Sequence, residues 1–217
     1  MQDDTFVTDI LLDVPGVKPA SQRRSLQKRD AMLKAGLDLL RDTEFEQLSI
    51  QQITAEARCS VGSFYERFED KDSFLLALQK QVYHRQIEDA RARLAPADWA
   101  RVPTHEAIAA AVTVVSDSFR GDAEGLLRAA MVRSAAKPHV WGPSRASSKD
   151  MSDVLKAVLV DRLDGPDPEG RVDVAIQLLN GILLNMILRD PGPLRLSDPK
   201  TDRTLTDITV SVLGPLK

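Results

Sequence analysis

Apolar residues recur along this chain at the three-to-four-residue spacing of helices and almost nowhere at the strict alternation of strands. Leu26, Leu33, Leu37 and Leu40 mark one face of a first helix that ends near Asp42. The stretch from Ser49 to Phe68, SIQQITAEARCSVGSFYERF, reads as two short helices joined by a turn. Ser49 and Gln52, three residues on, form a capping box, and Ile50, Ile53 and Ala57 share a face. The turn is Arg58-Cys59-Ser60. Ser60 is a second N-cap, with Val61, Phe64 and Phe68 on one face beyond it. A long helix from Asp70 to about Leu94 turns Phe74, Leu78 and Val82 inward.

Downstream, Thr104 caps a helix whose stripe is Ile108, Val112, Val115 and Phe119, and another helix runs from Glu124 to Ala136. Lys137 to Ser148, with two prolines, reads as a polar loop. Met151 to Leu163 carries a wide apolar stripe, and residues 168–189 are apolar over more than one face. Asp198-Pro199 opens a last helix, which Gly214-Pro215 closes. Thr206 to Val212 is rich in β-branched residues, but a strand there would have no sheet to join, so helix is expected. Residues 1–20 lack sustained periodicity and read as a mobile tail in which only Ile10-Leu11-Leu12 could dock. The sum is an all-α chain of about nine helices: a small three-helix domain at 21–70 and a larger helical domain at 71–217.

Composition changes this picture little. The 217 residues are 43% hydrophobic and 28% charged, the range of ordinary soluble domains. One cysteine excludes an internal disulfide and suits a reducing cytoplasm. No apolar run reaches the length of a membrane span, and the acidic start is unlike a signal peptide. Charge matters more. The net charge is −3, yet Lys18 to Arg29 carries five basic residues and no acid, so the remainder sums to −8. A basic cluster beside two short helices is the electrostatic footprint of a DNA-binding end.

Helix, tight turn, helix is the plan in which the second helix enters the DNA major groove. Gly62 has no Cβ, so the backbone there can come close to a phosphate or base edge. Ser63 and Tyr65 offer hydroxyls to phosphates, and Arg23 and Arg24 offer charge. Glu66, Arg67 and Gln51 are long enough to reach base edges. Ser49, Ser60 and Val61 complete the same edge of the motif. Lys71 follows Asp70, a good N-cap, so a phosphate could meet a lysine and a helix N-terminus together. The same residues also fit a solvated pair of helices inside an enzyme. Catalysis finds little support: the three histidines are dispersed without metal-ligand spacing, and no phosphate loop or nucleophile elbow occurs. Cys59 reads as a small buried packing residue rather than a redox sensor.

Ser49, Ile53, Ala57, Ser60, Gly62, Phe64-Tyr65, Phe68, Lys71 and Leu75 stand at the spacing of the tetracycline-repressor (TetR) family of bacterial transcription regulators. The stretch from about 23 to 80 resembles that family's DNA-binding segment. The family usually has Ala where this chain has Thr54 and Gly where it has Arg58; a side chain in that turn at positive φ would be strained. The resemblance implies a homodimeric regulator, expected to be a repressor, that binds palindromic operator DNA and is released by a small apolar or amphipathic effector. It implies no enzyme activity, no cofactor, no metal and no membrane partner. It places an effector cavity within residues 104–163, where Phe119, Leu127, Met131, Trp141, Met151 and Leu155 are candidate lining and Arg128, Arg133 and His139 candidate polar anchors. It also implies pairing through the last two helices, where Leu179, Ile182, Met186, Leu205, Ile208 and Val212 are candidate interface residues. The rival is a helical protein-interaction module or another helical protein that does not bind DNA.

Overall fold

The structure, a computed structural model, describes residues 10–19, 23–95, 99, 101–189 and 192–217. The chain forms two compact units, Met1–Val82 and Tyr83–Lys217. The division falls inside the long helix rather than at its start. Among the described residues there are nine α-helices and no strand beyond two isolated bridges.

The first unit holds α1 (Arg23–Leu39), α2 (Ile50–Glu56), α3 (Val61–Tyr65) and the beginning of α4 (Lys71–Arg93). Met32, Leu33, Leu37, Leu40 and Ile53 are buried around Phe64, Phe68 and Phe74. The three rings form a triangle with centroids 5.1, 5.2 and 5.4 Å apart. Each fully buried Phe contributes about 1.5–3 kcal/mol, so this triangle dominates a small core. Gly36 lets α1 approach it: a Cβ there would lie 2.5 Å from the Phe74 ring.

Residues 1–20 read as a mobile tail, yet the described part of them, residues 10–19, is packed on the first unit. Leu11 and Val14 are 1% and 8% exposed. Val17 bridges to Phe68, the Lys18 amide donates to the Arg67 carbonyl, and the Glu69 amide donates to the Gly16 carbonyl. Gly16 sits at φ 75°, and a Cβ would stand 2.7 Å from the Ser73 Cβ. The segment is a strap laid over the end of the two-helix motif. Residues 1–9 lie outside the described residues.

The second unit contains α5 (Thr104–Asp117), α6 (Asp122–Ala136), α7 (Gly142–Leu159), α8 (Pro168–Arg189) and α9 (Pro199–Leu213), with 3₁₀ turns at Pro138–Trp141 and Val160–Arg162. The last helix packs on α5 and α8, and α7 packs on α8 and α5. The expected stripes of α5 and α7 are all buried. Arg120 joins the α5–α6 corner to α9 through a two-pronged pair with Asp202, at 2.6 and 3.1 Å. Arg171 donates to the carbonyls of Leu213 and Asp164, satisfying the end of α9.

Three local expectations fail here. Thr104 is the first helical residue rather than a cap; Pro103 precedes it with no side-chain cap. Lys137 to Ser148 is not a loop: after one 3₁₀ turn the chain is helical from Gly142, with Pro143 in the first turn, where its missing N–H costs nothing. Finally, α8 is long and apolar enough to cross a membrane by length and composition. Its buried face packs on α5, α6, α7 and α9, and its other face exposes Gln177 and Asn185, groups that are costly in hydrocarbon.

Candidate functional site

The two-helix motif is built from caps. The Ser49 side chain accepts the Gln52 amide at 3.2 Å while the Gln52 side chain accepts the Ser49 amide at 2.8 Å. The end of α2 is a Schellman turn: the Cys59 amide donates to Thr54 O at 2.8 Å and the Arg58 amide to Ala55 O at 3.1 Å. That geometry requires a left-handed residue, and Arg58 holds it at φ 52°, a strain of about 1–2 kcal/mol borne where Gly is usual. Thr54 is buried, and its hydroxyl donates to Ile50 O. Ser60 then caps α3 by accepting the Ser63 amide at 3.1 Å.

The motif presents Val61, Gly62, Tyr65 and Glu66 on its outside, with Val61 and Tyr65 36% and 47% exposed. A Cβ on Gly62 would meet only the Ser60 hydroxyl, at 3.7 Å, so the backbone there is open. Gln51 is exposed on α2, and Ser49 is half-buried. Arg23 and Arg24 are exposed and make no ion pair or hydrogen bond among the described residues.

Other candidates are already engaged. Val61 does not share the buried face of Phe64 and Phe68 but points outward. Ser63 is 5% exposed, and its hydroxyl meets Ser60 Oγ at 3.0 Å and Lys28 Nζ at 3.3 Å. It holds the motif together instead of offering a hydroxyl to phosphate. Arg67 lies past the end of α3 and donates to the carbonyls of Pro19 and Glu66, both at 3.0 Å. Lys71 is turned inward: its Nζ donates to Phe45 O at 2.7 Å and Leu48 O at 2.8 Å and stands 4.5 Å above the Phe45 ring. The start of α4 is closed by the Asp70 carboxylate, which accepts the Ser73 amide at 2.7 Å, so a phosphate would meet a carboxylate there. Cys59 is half-buried rather than buried, its Sγ 3.3 Å from Ala57 O.

One contributor left no local signal in the sequence. Lys18 Nζ donates to the Tyr65 carbonyl at 2.8 Å, capping the last turn of α3 from the strap.

The second unit contains a cavity of about 690 Å³. Phe119, Leu127, Trp141 and Met151 line it as expected; Met131 and the buried Leu155 do not. Arg128, Arg133 and His139 are also absent from its wall, and Arg128 pairs with Glu124 at 2.9 Å. The polar lining comes from residues read as loop or as plain helix: Arg145, Lys149, Lys156, Asp173 and Asn180. A helix started at Gly142-Pro143 would have placed Arg145, Lys149, Ser152 and Lys156 on one face. Lys156 reaches Asp173 at 2.8 Å. That ammonium, followed by the Ser152 hydroxyl, holds the Asp173 carboxyl below the usual carboxylate range. Burial pushes the Tyr83 phenol up to about 12, against the hydrogen bond it shares with Ser144 at 2.9 Å. Among the described residues no three His, Cys, Asp or Glu side chains gather as a metal site.

The residues expected to pair divide by burial. Leu179, Met186 and Leu205 are 2%, 8% and 0% exposed, so they belong to the chain's own core. Ile182, Ile208 and Val212 are half-buried. The apolar side chains that α8 leaves outside are Val174 and Leu178, 50% and 44% exposed.

A capped helix, a tight turn and a short second helix with an open outer face, followed by a helical unit with a cavity, define the class by architecture: a helix-turn-helix segment joined to a larger helical unit. Residues 32–78 match the family of bacterial regulatory proteins named for tetR, and that segment is similar to the family's. Uncharacterised HTH-type transcriptional regulators of Mycobacterium bovis and Mycobacterium tuberculosis are 29% identical over 113 residues, 51% of this chain and 55% of theirs. The chain thus spans about half the length of the curated relatives it matches. The fold is shared with a Mesorhizobium loti protein described as a TetR-family transcriptional regulator, with a TM-score of 0.72, 14% identity, and 88% and 98% of the two chains covered. It is also shared with NalD, the secondary repressor of the MexAB-OprM multidrug efflux pump in Pseudomonas aeruginosa, with a TM-score of 0.59, 18% identity, and 87% and 96% covered. The multidrug binding protein EbrR, solved with imidazole, superposes with a TM-score of 0.60 at 16% identity, with 85% and 94% covered.

Proposed function

We propose that this chain is a homodimeric repressor that holds a palindromic operator through two copies of α3 and releases it when a small effector fills the cavity. The observation that carries the reading is the outer face of the motif, where Val61, Gly62, Tyr65 and Glu66 stand free while every cap behind them is satisfied. Val61, Glu66 and Gln51 face base edges; Arg23, Arg24 and the Tyr65 hydroxyl meet phosphates. NalD, described as a repressor, and EbrR, described as a multidrug binding protein, share the fold and support reading this chain as a repressor that takes a small molecule.

The coupling runs along α4. This one helix begins in the DNA-binding unit and contributes Tyr83 and Gln86 to the cavity wall. Two readers must fit two grooves at once, so a small change in helix direction loses one half-site. The effector achieves this only by binding the released state more tightly, and operator DNA then weakens effector binding by the same factor.

The test is a titration of the duplex upstream of the chain's own coding sequence, followed by fluorescence anisotropy and sedimentation. Two chains per duplex and an affinity that falls steeply with salt are expected. One chain per duplex, or an affinity indifferent to salt, would remove the operator reading.

A further inference from the structure

The cavity is not neutral in its chemistry. Its floor is apolar, with Val115, Phe119, Leu127 and Ile176. The exposed Arg145 and Lys149, one turn apart on α7, also line it, and neither makes an ion pair or hydrogen bond among the described residues. Both lie in the first two turns of that helix, GPSRASSK, which contain no acid. Arg145, the fourth residue of the helix, opposes the macrodipole, which favours acids in the first turn. The lining also holds two acids, Asp153 and Asp173. Asp173 is held by Lys156 at 2.8 Å and by Ser152. Asp153 follows Lys149 by four residues, about 6 Å along the axis, and no ion pair joins the two among the described residues.

We propose that the effector is an amphipathic anion, its apolar body on Phe119 and Leu127 and its acidic head group on Arg145 and Lys149. This rests on the reading of the cavity as the effector site. A neutral ligand would leave both exposed cations in water and gain nothing from them, and a cationic one would meet them with repulsion. An oxyanion accepts charge-assisted hydrogen bonds from both, the strong class of such bonds.

The experiment compares anilinonaphthalene sulfonate with phenylnaphthylamine, which share a ring system and differ in the sulfonate. Binding is read in the full chain carrying Trp99→Phe, so that Trp141 in the cavity wall reports occupancy. The sulfonate is expected to bind more tightly than the amine. Arg145→Ala with Lys149→Ala should weaken the sulfonate about tenfold and leave the amine unchanged. Each single substitution should lose part of that preference, which covers a double variant that does not fold. Equal affinity of the two probes, or a sulfonate preference that survives the double substitution, overturns the anion and leaves the effector site standing. If neither probe changes Trp141 emission, the effector-site reading fails together with this one.

Discussion

The Lys71 ammonium rests over the Phe45 ring and satisfies the carbonyls that close the loop between α1 and α2. Its position in the sequence, directly after a capping aspartate, suits phosphate contact equally well, and only the three-dimensional path of residues 45–48 decides between the two. Ser63 and Arg67 tell the same story: hydroxyl and guanidinium are drawn to the nearest unsatisfied backbone or side-chain partner before any ligand arrives. Lys71→Met should therefore cost about 1–3 kcal/mol of stability, read by urea unfolding, and leave the salt slope of DNA binding unchanged. Arg23→Ala and Arg24→Ala should do the reverse, with stability kept and the slope reduced by about 0.9 each. A normal unfolding curve for Lys71→Met with a reduced slope would return that residue to the interface.

At the scale of elements, the parts legible in the sequence are those with a local physical cause. Ser49 with Gln52, Ser60, and Asp198 with Pro199 are caps whose partners lie within three residues, and each forms as read. The apolar stripes of α5 and α7 follow from one period. The strap was illegible because its order comes from pairing across the chain, Val17 with Phe68 and Gly16 with Glu69, and such contacts leave no periodicity behind. The start of α7 was missed for the opposite reason: Gly142-Pro143 carries both the signal of a turn and the signal of a first helical residue. The strap has a consequence for recognition. Leu11→Asp places a carboxylate at a site 1% exposed, which releases the segment and the Lys18 cap on α3. Amides at the end of α3 should then exchange faster, and affinity should fall for all duplexes alike. Unaltered exchange there would show that α3 is held without the strap.

For the whole molecule, the proposed dimer needs a face on which two chains can meet. Composition made α8 apolar on more than one face, and burial separates those faces: Leu179 and Leu183 inward, Val174 and Leu178 outward. An outward apolar stripe on a helix that also packs its own core is what a two-fold pair can cover. Leu178→Asp should yield folded monomers by sedimentation, whereas Leu179→Asp should unfold the chain by placing a charge in its core. A folded dimer for Leu178→Asp would move the interface off α8.

Dimerisation, the exposed face of α3 and the spacing of the two readers converge in one observable, the sequence this chain selects from a random duplex pool. The account predicts enrichment of an inverted repeat with half-site centres about 34–36 Å apart, or a multiple of that, lost in Leu178→Asp. Enrichment of a single unrepeated site, or none above the unselected pool, would contradict it.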